Sequence, residues 1–188
     1  MIVATVPQLD TSRLILREPV EEDAAALFSF YSDPDTMRYW NTPPMEHADE
    51  ARLLIERARQ SAADDTAYRW ALAPRGGGAI VGICGLSSLS LPHRRAEIGY
   101  MLGRPHWGRG TMREALEAVL AHGFDTLDLH RVEAELDPRN GASERLLERL
   151  GFVREGLLRD RWRVEGEVSD SLYMGLLAPA WRAARGKR

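Results

Sequence analysis

Apolar and polar positions along the chain change their period several times, and each change marks an element. Leu14 and Leu16 alternate with Arg13, Ile15 and Arg17, which predicts a strand between Ser12 and Glu18 that Pro19 ends. Glu21, Glu22 and Asp23 then suit a helix start, and Ala24, Leu27, Phe28 and Tyr31 recur at helical spacing. A second helical stretch over Glu46 to about Ala62 puts Ala51, Leu54, Ile55 and Ala58 on one face. Between the two, Met37-Arg38-Tyr39-Trp40-Asn41 followed by Pro43-Pro44 predicts an aromatic loop and no regular element.

Tyr68 to Ala73 and Ala79 to Leu89 have the character of two strands, with Gly76-Gly77-Gly78 as the turn of a hairpin. Arg95 to Leu102 is another strand. A loop over Gly103 to Gly110 leads into a helix that runs to about Asp125, with Met112, Ala115, Leu116, Val119, Leu120 and Phe124 as its apolar stripe. Arg131 to Asp137 alternates as a short strand. Asn140 opens a helix whose Ala142, Leu146, Leu147 and Leu150 are expected to face inward, and Gly151-Phe152 ends it. Val153 to Leu177 predicts two further strands split near Glu165-Gly166, and the basic segment 179–188 is expected to fray. Strands outnumber helices and alternate with them in the middle of the chain. The expectation is an α/β protein, one domain over 1–188, with a mixed sheet of about seven strands and helices on both faces.

Composition narrows the class. The 188 residues are 44% hydrophobic and 28% charged, within the globular range, and a net charge of −3 gives no general footprint for nucleic acid or an anionic membrane. The lone Cys84 cannot form an internal disulfide, no Cys/His cluster has zinc spacing, and neither a signal peptide nor a membrane-spanning apolar run is present. These features point to a cytoplasmic, metal-free protein with no nucleic acid or membrane partner. Any anion site has to be local.

Trp107-Gly108-Arg109-Gly110-Thr111-Met112-Arg113 places two glycines in the turn between a strand and a long helix. Glycine lets backbone approach an anion closely, and the unpaired N–H groups of a first helical turn point at it. Residues 94–113 also hold five arginines against one acid, Glu97, so this stretch is +4 in a chain of −3. A dinucleotide fingerprint would need glycine at Arg113, and a Walker A loop would need Gly-Lys-Ser or Gly-Lys-Thr, which is absent. On spacing alone, Gly108 and Gly110 suit a plain helix entry equally well.

A second segment adds to this. Asp137-Pro138-Arg139-Asn140-Gly141-Ala142-Ser143, followed after seven residues by Gly151-Phe152, resembles the second cofactor motif of the GNAT N-acetyltransferase superfamily, and Trp107-Gly108-Arg109-Gly110 resembles its pyrophosphate loop. The resemblance extends from Ser12-Arg13-Leu14 through Met37-Arg38-Tyr39-Trp40, Ala96-Glu97-Ile98-Gly99-Tyr100 and Gly151-Phe152-Val153-Arg154-Glu155-Gly156 to Asp170-Ser171-Leu172-Tyr173, and is greatest to the RimJ/RimL-like branch. It implies the GNAT acyl-CoA N-acyltransferase fold. The pantetheine arm of acetyl-CoA would lie between the strand ending at Leu102 and the strand starting at Arg131, against the backbone of Tyr100, Met101 and Leu102. The diphosphate would take N–H groups from Gly108 to Met112 in the loop that includes Trp107, Arg109, Thr111 and Arg113. Met112 departs from the Gly or Ala usual at its position.

The same resemblance assigns Asn140 to the pantetheine, a role compatible with a helix cap, and Ser143 to the departing thiolate or, again, to a cap. A neutral amine must attack, so a proton acceptor is needed. Glu97, on the strand beside the cleft and on the face of Gly99 and Met101, is the leading candidate; a structural ion pair with Arg94, Arg95 or Arg131 is the alternative. Trp162 stands where a RimL-like enzyme carries a carboxylate base. Tyr173 is a candidate acid or a core residue, with Asp170 orienting it or capping the strand. Tyr39, Trp40 and Asn41 would wall the acceptor pocket or pack under their loop. The acidic stretch Glu18 to Glu50, nine acids against Arg38, would guide a cation or simply start helices. At pH 7 about one α-amine in ten is neutral, against roughly one lysine in 2,500, which favours an α-amine acceptor.

The expected function is therefore direct acetyl transfer from acetyl-CoA to a primary amine, a protein N-terminus or a small molecule, by a monomer or homodimer. The alternatives are a catalytically silent acyl-CoA-binding module and, with least support, a nucleic-acid binder.

Overall fold

A computed structural model describes residues 6–186. Eight strands form one sheet: β1 (Leu9–Asp10), β2 (Leu14–Arg17), β3 (Tyr68–Pro74), β4 (Gly82–Ser90), β5 (Arg95–Leu102), β6 (Arg131–Leu136), β7 (Val153–Val164) and β8 (Glu167–Leu177), in the order β1-β2-β3-β4-β5-β6-β8-β7. All neighbours are antiparallel except β5 and β6. The α/β mixed sheet is as expected, with eight strands in place of seven; β1, two residues long, is too short to leave a periodic signal.

Helices α1 (Ala24–Tyr31), α2 (Pro34–Met37) and α3 (Ala48–Ala63) cover the front of β3 to β5, where Leu27, Phe30, Tyr31, Met37 and Ile55 pack on Ala71, Ile83 and Met101. On the back, α4 (Thr111–Ala121), α5 (Gly141–Leu150) and α6 (Ala178–Arg185) enclose the larger core, which includes Trp70, Leu116, Leu120, Phe124, Leu147, Met174 and Trp181. The stripe read from the sequence of α4 is all buried. Its last residue, Phe124, lies beyond the regular helix in a π-helical stretch, His122–Thr126, whose wider turn keeps it directed inward.

Three expectations are corrected. Met37 ends a short helix instead of opening a loop: Asp33 caps it, accepting the Asp35 N–H at 3.1 Å, and Pro34 supplies the fixed φ of a first helical position. Ala142 is exposed, because it sits in the first turn of α5 ahead of the face that carries Leu147 and Leu150. The segment after Pro179 does not fray as far as Arg185. It is helix α6, held by Trp181, which is 5% exposed and packs 5.9 Å from the Phe124 ring. Residues 187–188 lie outside the described residues.

Candidate active site

The parallel pair β5/β6 is in register only at Arg95↔Arg131, Ala96↔Val132 and Glu97↔Glu133. Beyond Glu97, β5 continues against β4 and β6 continues against β8, so the strands diverge and open a wedge between 98–102 and 134–136. The paired end is clamped on the front face by a run of charges. Glu133 accepts Arg95 Nη1 at 2.9 Å and Arg131 Nε at 2.7 Å, and the Arg131 guanidinium continues to Glu155. Gly175 lies opposite Glu133, and a Cβ there would come within 2.5 Å of the Glu155 carboxylate, so glycine is what lets this ion pair cross β8.

At one mouth of the wedge is the glycine loop. Gly108 and Gly110 both have φ +72°, a left-handed conformation that favours glycine, and Gly110 is the N-cap of α4. The first bond of that helix runs from Glu114 N–H to the Gly110 carbonyl at 3.1 Å, which leaves the N–H groups of residues 111–113 outside the helical ladder. A Cβ at Gly108 or at Gly99 would meet nothing within 4 Å, so both glycines border open space. Trp107 Nε1 donates to the Leu102 carbonyl at 2.6 Å and ties the loop to the end of β5. The Met112 side chain is 6% exposed and lies in the core, so the residue that departs from the usual small one keeps its bulk away from the loop.

The +4 field expected of residues 94–113 is mostly compensated in space. Arg94 pairs with Asp128, Arg95 with Glu133, Arg104 with Asp35 and Arg113 with Glu117; Arg109 alone of the five has no carboxylate partner among the described residues. Arg13, immediately before β2, joins the loop. Its backbone N–H and its Nε reach the Glu114 carboxylate at 2.8 and 2.5 Å, and its Nη1 donates to the Arg109 carbonyl at 2.9 Å. Burial works against ionisation of Glu114, but hydrogen bonds from Thr11, Arg13 and Ser12 outweigh it and bring its pKa down to about 2.

Across the wedge, Asn140 caps α5 with its carbonyl oxygen, which accepts the Ser143 N–H at 3.1 Å; the amide nitrogen remains a donor. The Ser143 hydroxyl lies 2.6 Å from the Tyr100 hydroxyl, a contact from β5 to α5. Burial raises the Tyr100 pKa to about 12.

On the front face, Glu97 is half-buried at the closed end of the wedge. None of its three expected arginine partners takes it: Arg94 bonds Asp128, Arg95 bonds Glu133, and Arg131 bonds Glu133 and Glu155. Burial raises its pKa, as do the charges of Glu135 and Glu133, against a lowering by Arg95.

Glu135 is the residue that sequence reasoning missed. Two positions past the last β5/β6 pair, it accepts Ser171 Oγ at 2.6 Å, Trp162 Nε1 at 2.7 Å and Tyr173 hydroxyl at 2.9 Å, with Arg161 Nε 3.8 Å away. Trp162, at the position where the resemblance places a carboxylate in other enzymes, thus donates to one supplied by another strand. The available signal was the alternation Arg131, Glu133, Glu135, which puts three charged side chains on one face. Tyr173 is half-buried and oriented by Glu135, and its pKa is raised by burial and by that carboxylate. Asp170 does not orient it; it accepts the Asp160 N–H at 2.9 Å and holds the irregular turn of β7.

The residues expected to wall the acceptor pocket have separate surroundings. Trp40 packs edge-on against Tyr31 at 5.9 Å, Tyr39 lies under Arg38, and Asn41 is exposed. The acids of 18–50 mostly cap helices or pair locally, Asp23 with Arg17 and Glu21 with Arg52 among them. Among the described residues no group of three or more His, Cys, Asp or Glu is arranged to hold a metal, and no helix is long and apolar enough to cross a membrane.

Known proteins share this architecture. A family model of the acetyltransferase (GNAT) domain matches residues 13–153. The chain is 37% identical over 169 residues to an uncharacterized N-acetyltransferase, p20, of Bacillus licheniformis, covering 90% of this chain and 95% of the relative. It is 28% identical over 186 residues to the [ribosomal protein uS5]-alanine N-acetyltransferase of Escherichia coli, covering 95% and 94%. The crystal structure of spermidine N-acetyltransferase from Vibrio cholerae in complex with CoA and spermine superposes with a TM-score of 0.81 at 26% identity, covering 91% of this chain and 99% of that one.

Proposed function

The chain belongs to the GNAT acetyltransferase family, and on that premise we propose that it moves an acetyl group from acetyl-CoA to a primary amine by direct attack in a ternary complex. The observation that carries this is the wedge between β5 and β6, with the glycine loop and the head of α5 at its two sides. Acetyl-CoA supplies the activated acyl group. The free N–H groups of 111–113 with the backbone of Trp107 to Gly110 suit its diphosphate, and Gly99 and Gly108 leave space that a side chain would fill. Backbone of Tyr100, Met101 and Leu102 along the unpaired edge of β5, with the Asn140 amide, suits the pantetheine amides. A catalogue of the residues beside the thioester would include Ser143 on the back and Glu97, Glu135 and Tyr173 on the front.

The two carboxylates have different tasks. Glu135 is committed to three donors, so its lone pairs are largely engaged, whereas Glu97 has no ion-pair partner among the described residues and a raised pKa, both suited to accepting the proton of an attacking amine. Tyr173, aligned by Glu135, is in position to assist. Cys84 is buried, with its thiol pushed far above the ordinary range, which argues against a covalent acetyl-enzyme. The lower pKa of an α-amine supports a peptide N-terminus over a lysine side chain.

The test is a panel of α-amine peptides, polyamines and small amines with acetyl-CoA, followed by CoA release with a thiol-reactive dye. Release on an α-amine peptide supports the proposal. Tight CoA binding with no release on any member would favour a silent acyl-CoA-binding module.

A further inference from the structure

We propose that Tyr100 is a positioning residue for thiolate release: its phenol fixes the Ser143 hydroxyl so that the serine's own proton is presented to the departing sulfur. This rests on the acyltransferase reading of the wedge. Tyr100 follows Gly99 on β5, and alternation sends its side chain to the opposite face from Glu97, towards α5. There it is packed against the main core with its hydroxyl 2.6 Å from Ser143 Oγ and 3.5 Å from the Ser143 carbonyl.

Either hydroxyl can donate, and acidity decides which does. A phenol is a far stronger acid than an alcohol, so the better bond has Tyr100 donating and Ser143 accepting. Among the described residues the Ser143 hydroxyl has no other partner, which leaves its proton without an acceptor. Its backbone N–H is meanwhile fixed by Asn140 at 3.1 Å, so main chain and side chain of Ser143 are both held before any ligand arrives. A donor held in this way needs no reorganisation when negative charge develops beside it.

The amine nitrogen bonds to the carbonyl carbon, the C–S bond breaks and its electron pair stays on sulfur. The surplus proton of the amine goes to the front-face carboxylate. Ser143 donates a hydrogen bond to the thiolate, and Tyr100 donates to Ser143; neither gives up its proton.

CoA itself is the probe. The ultraviolet absorbance of its thiolate is titrated between about pH 6 and 9.5, bound to the wild type, Tyr100→Phe, Ser143→Ala and the double variant, with calorimetry giving each affinity. Cys84, buried and pushed far up, stays silent in this range. Bound to the wild type, the coenzyme thiol is expected to titrate about one unit below the free thiol's ~8.5, which is about tenfold more thiolate at a given pH. Each single variant should lose that gain with nearly unchanged affinity at about pH 6, where the coenzyme binds as the thiol, and the double variant should lose no more than Ser143→Ala. Bound coenzyme that titrates like free coenzyme, or losses that multiply in the double variant, would overturn the role of Tyr100 while leaving the acyltransferase reading intact. A wild type that does not bind CoA overturns both.

Discussion

Arg13 and Glu114 are 101 residues apart in sequence and meet through two bonds, backbone N–H and Nε of the arginine to the two oxygens of the carboxylate. One partner immediately precedes β2 and the other lies in the first turn of α4, so the ion pair sets the glycine loop against the sheet. Because the folded pKa of Glu114 is depressed to about 2, its contribution to stability is complete above the ordinary carboxylate value and is lost as pH falls through that value towards 2. With Arg13 half exposed, screening reduces the contribution to about 1 kcal/mol or less. Glu114→Gln should lower the midpoint of urea unfolding at pH 7, and the difference from the wild type should shrink below about pH 4. Parallel curves across that range would show that the carboxylate charge is not what stabilises this contact.

Gly110→Val places a β-branched residue at φ +72° with its Cβ 3.7 Å from Arg13 Nη2. The loop would have to leave its left-handed conformation, and the N–H groups that follow it would turn away. CoA affinity measured by calorimetry should fall by about tenfold or more. Unchanged affinity would remove the loop from the coenzyme site.

The charge of Glu135 helps to raise the pKa of Glu97, so neutralising it should lower that pKa. In kcat/KM against pH, Glu135→Gln is expected to move the acid limb to lower pH, because Glu97 then loses its proton earlier. Glu97→Gln should remove that limb and lower the plateau by about 100-fold, the usual worth of a general base. An acid limb that stays in place in both variants would clear Glu97 of proton acceptance.

Trp181 anchors α6 on Phe124, and truncation to Ala should cost about 3 kcal/mol, read as a fall in Tm. A Tm within a degree or two of the wild type would mean that the segment after Pro179 contributes little to the core.

The strands and helices that carry a long periodic signal were legible in the sequence. Arg95 to Leu102 coincides with β5, and the stripe from Met112 to Phe124 is buried throughout. The two glycines and the asparagine-headed helix were legible for a local reason: φ > 0 and a helix cap are properties of single residues. What escaped depends on contacts between distant segments. Glu135 gains its importance from Trp162, Ser171 and Tyr173, 27 to 38 residues further along, and nothing within β6 announces them. The arginine field failed for the converse reason, since four of its five members meet acids that lie outside the +4 window or across the sheet. Trp181 was hidden by its basic neighbours, which suggested solvent while one aromatic ring was enough to dock the helix.

Three register pairs, with the Arg95–Glu133 ion pair beside them, join β5 to β6, so the two parts of the sheet share only a short seam there. Backbone amides beside the seam should exchange with deuterium sooner than those inside either part, and the molecule should come apart there first under load. A long, narrow guest wedged along the opening would act as additional rungs, so that holding its substrate and holding itself together become one property of this protein.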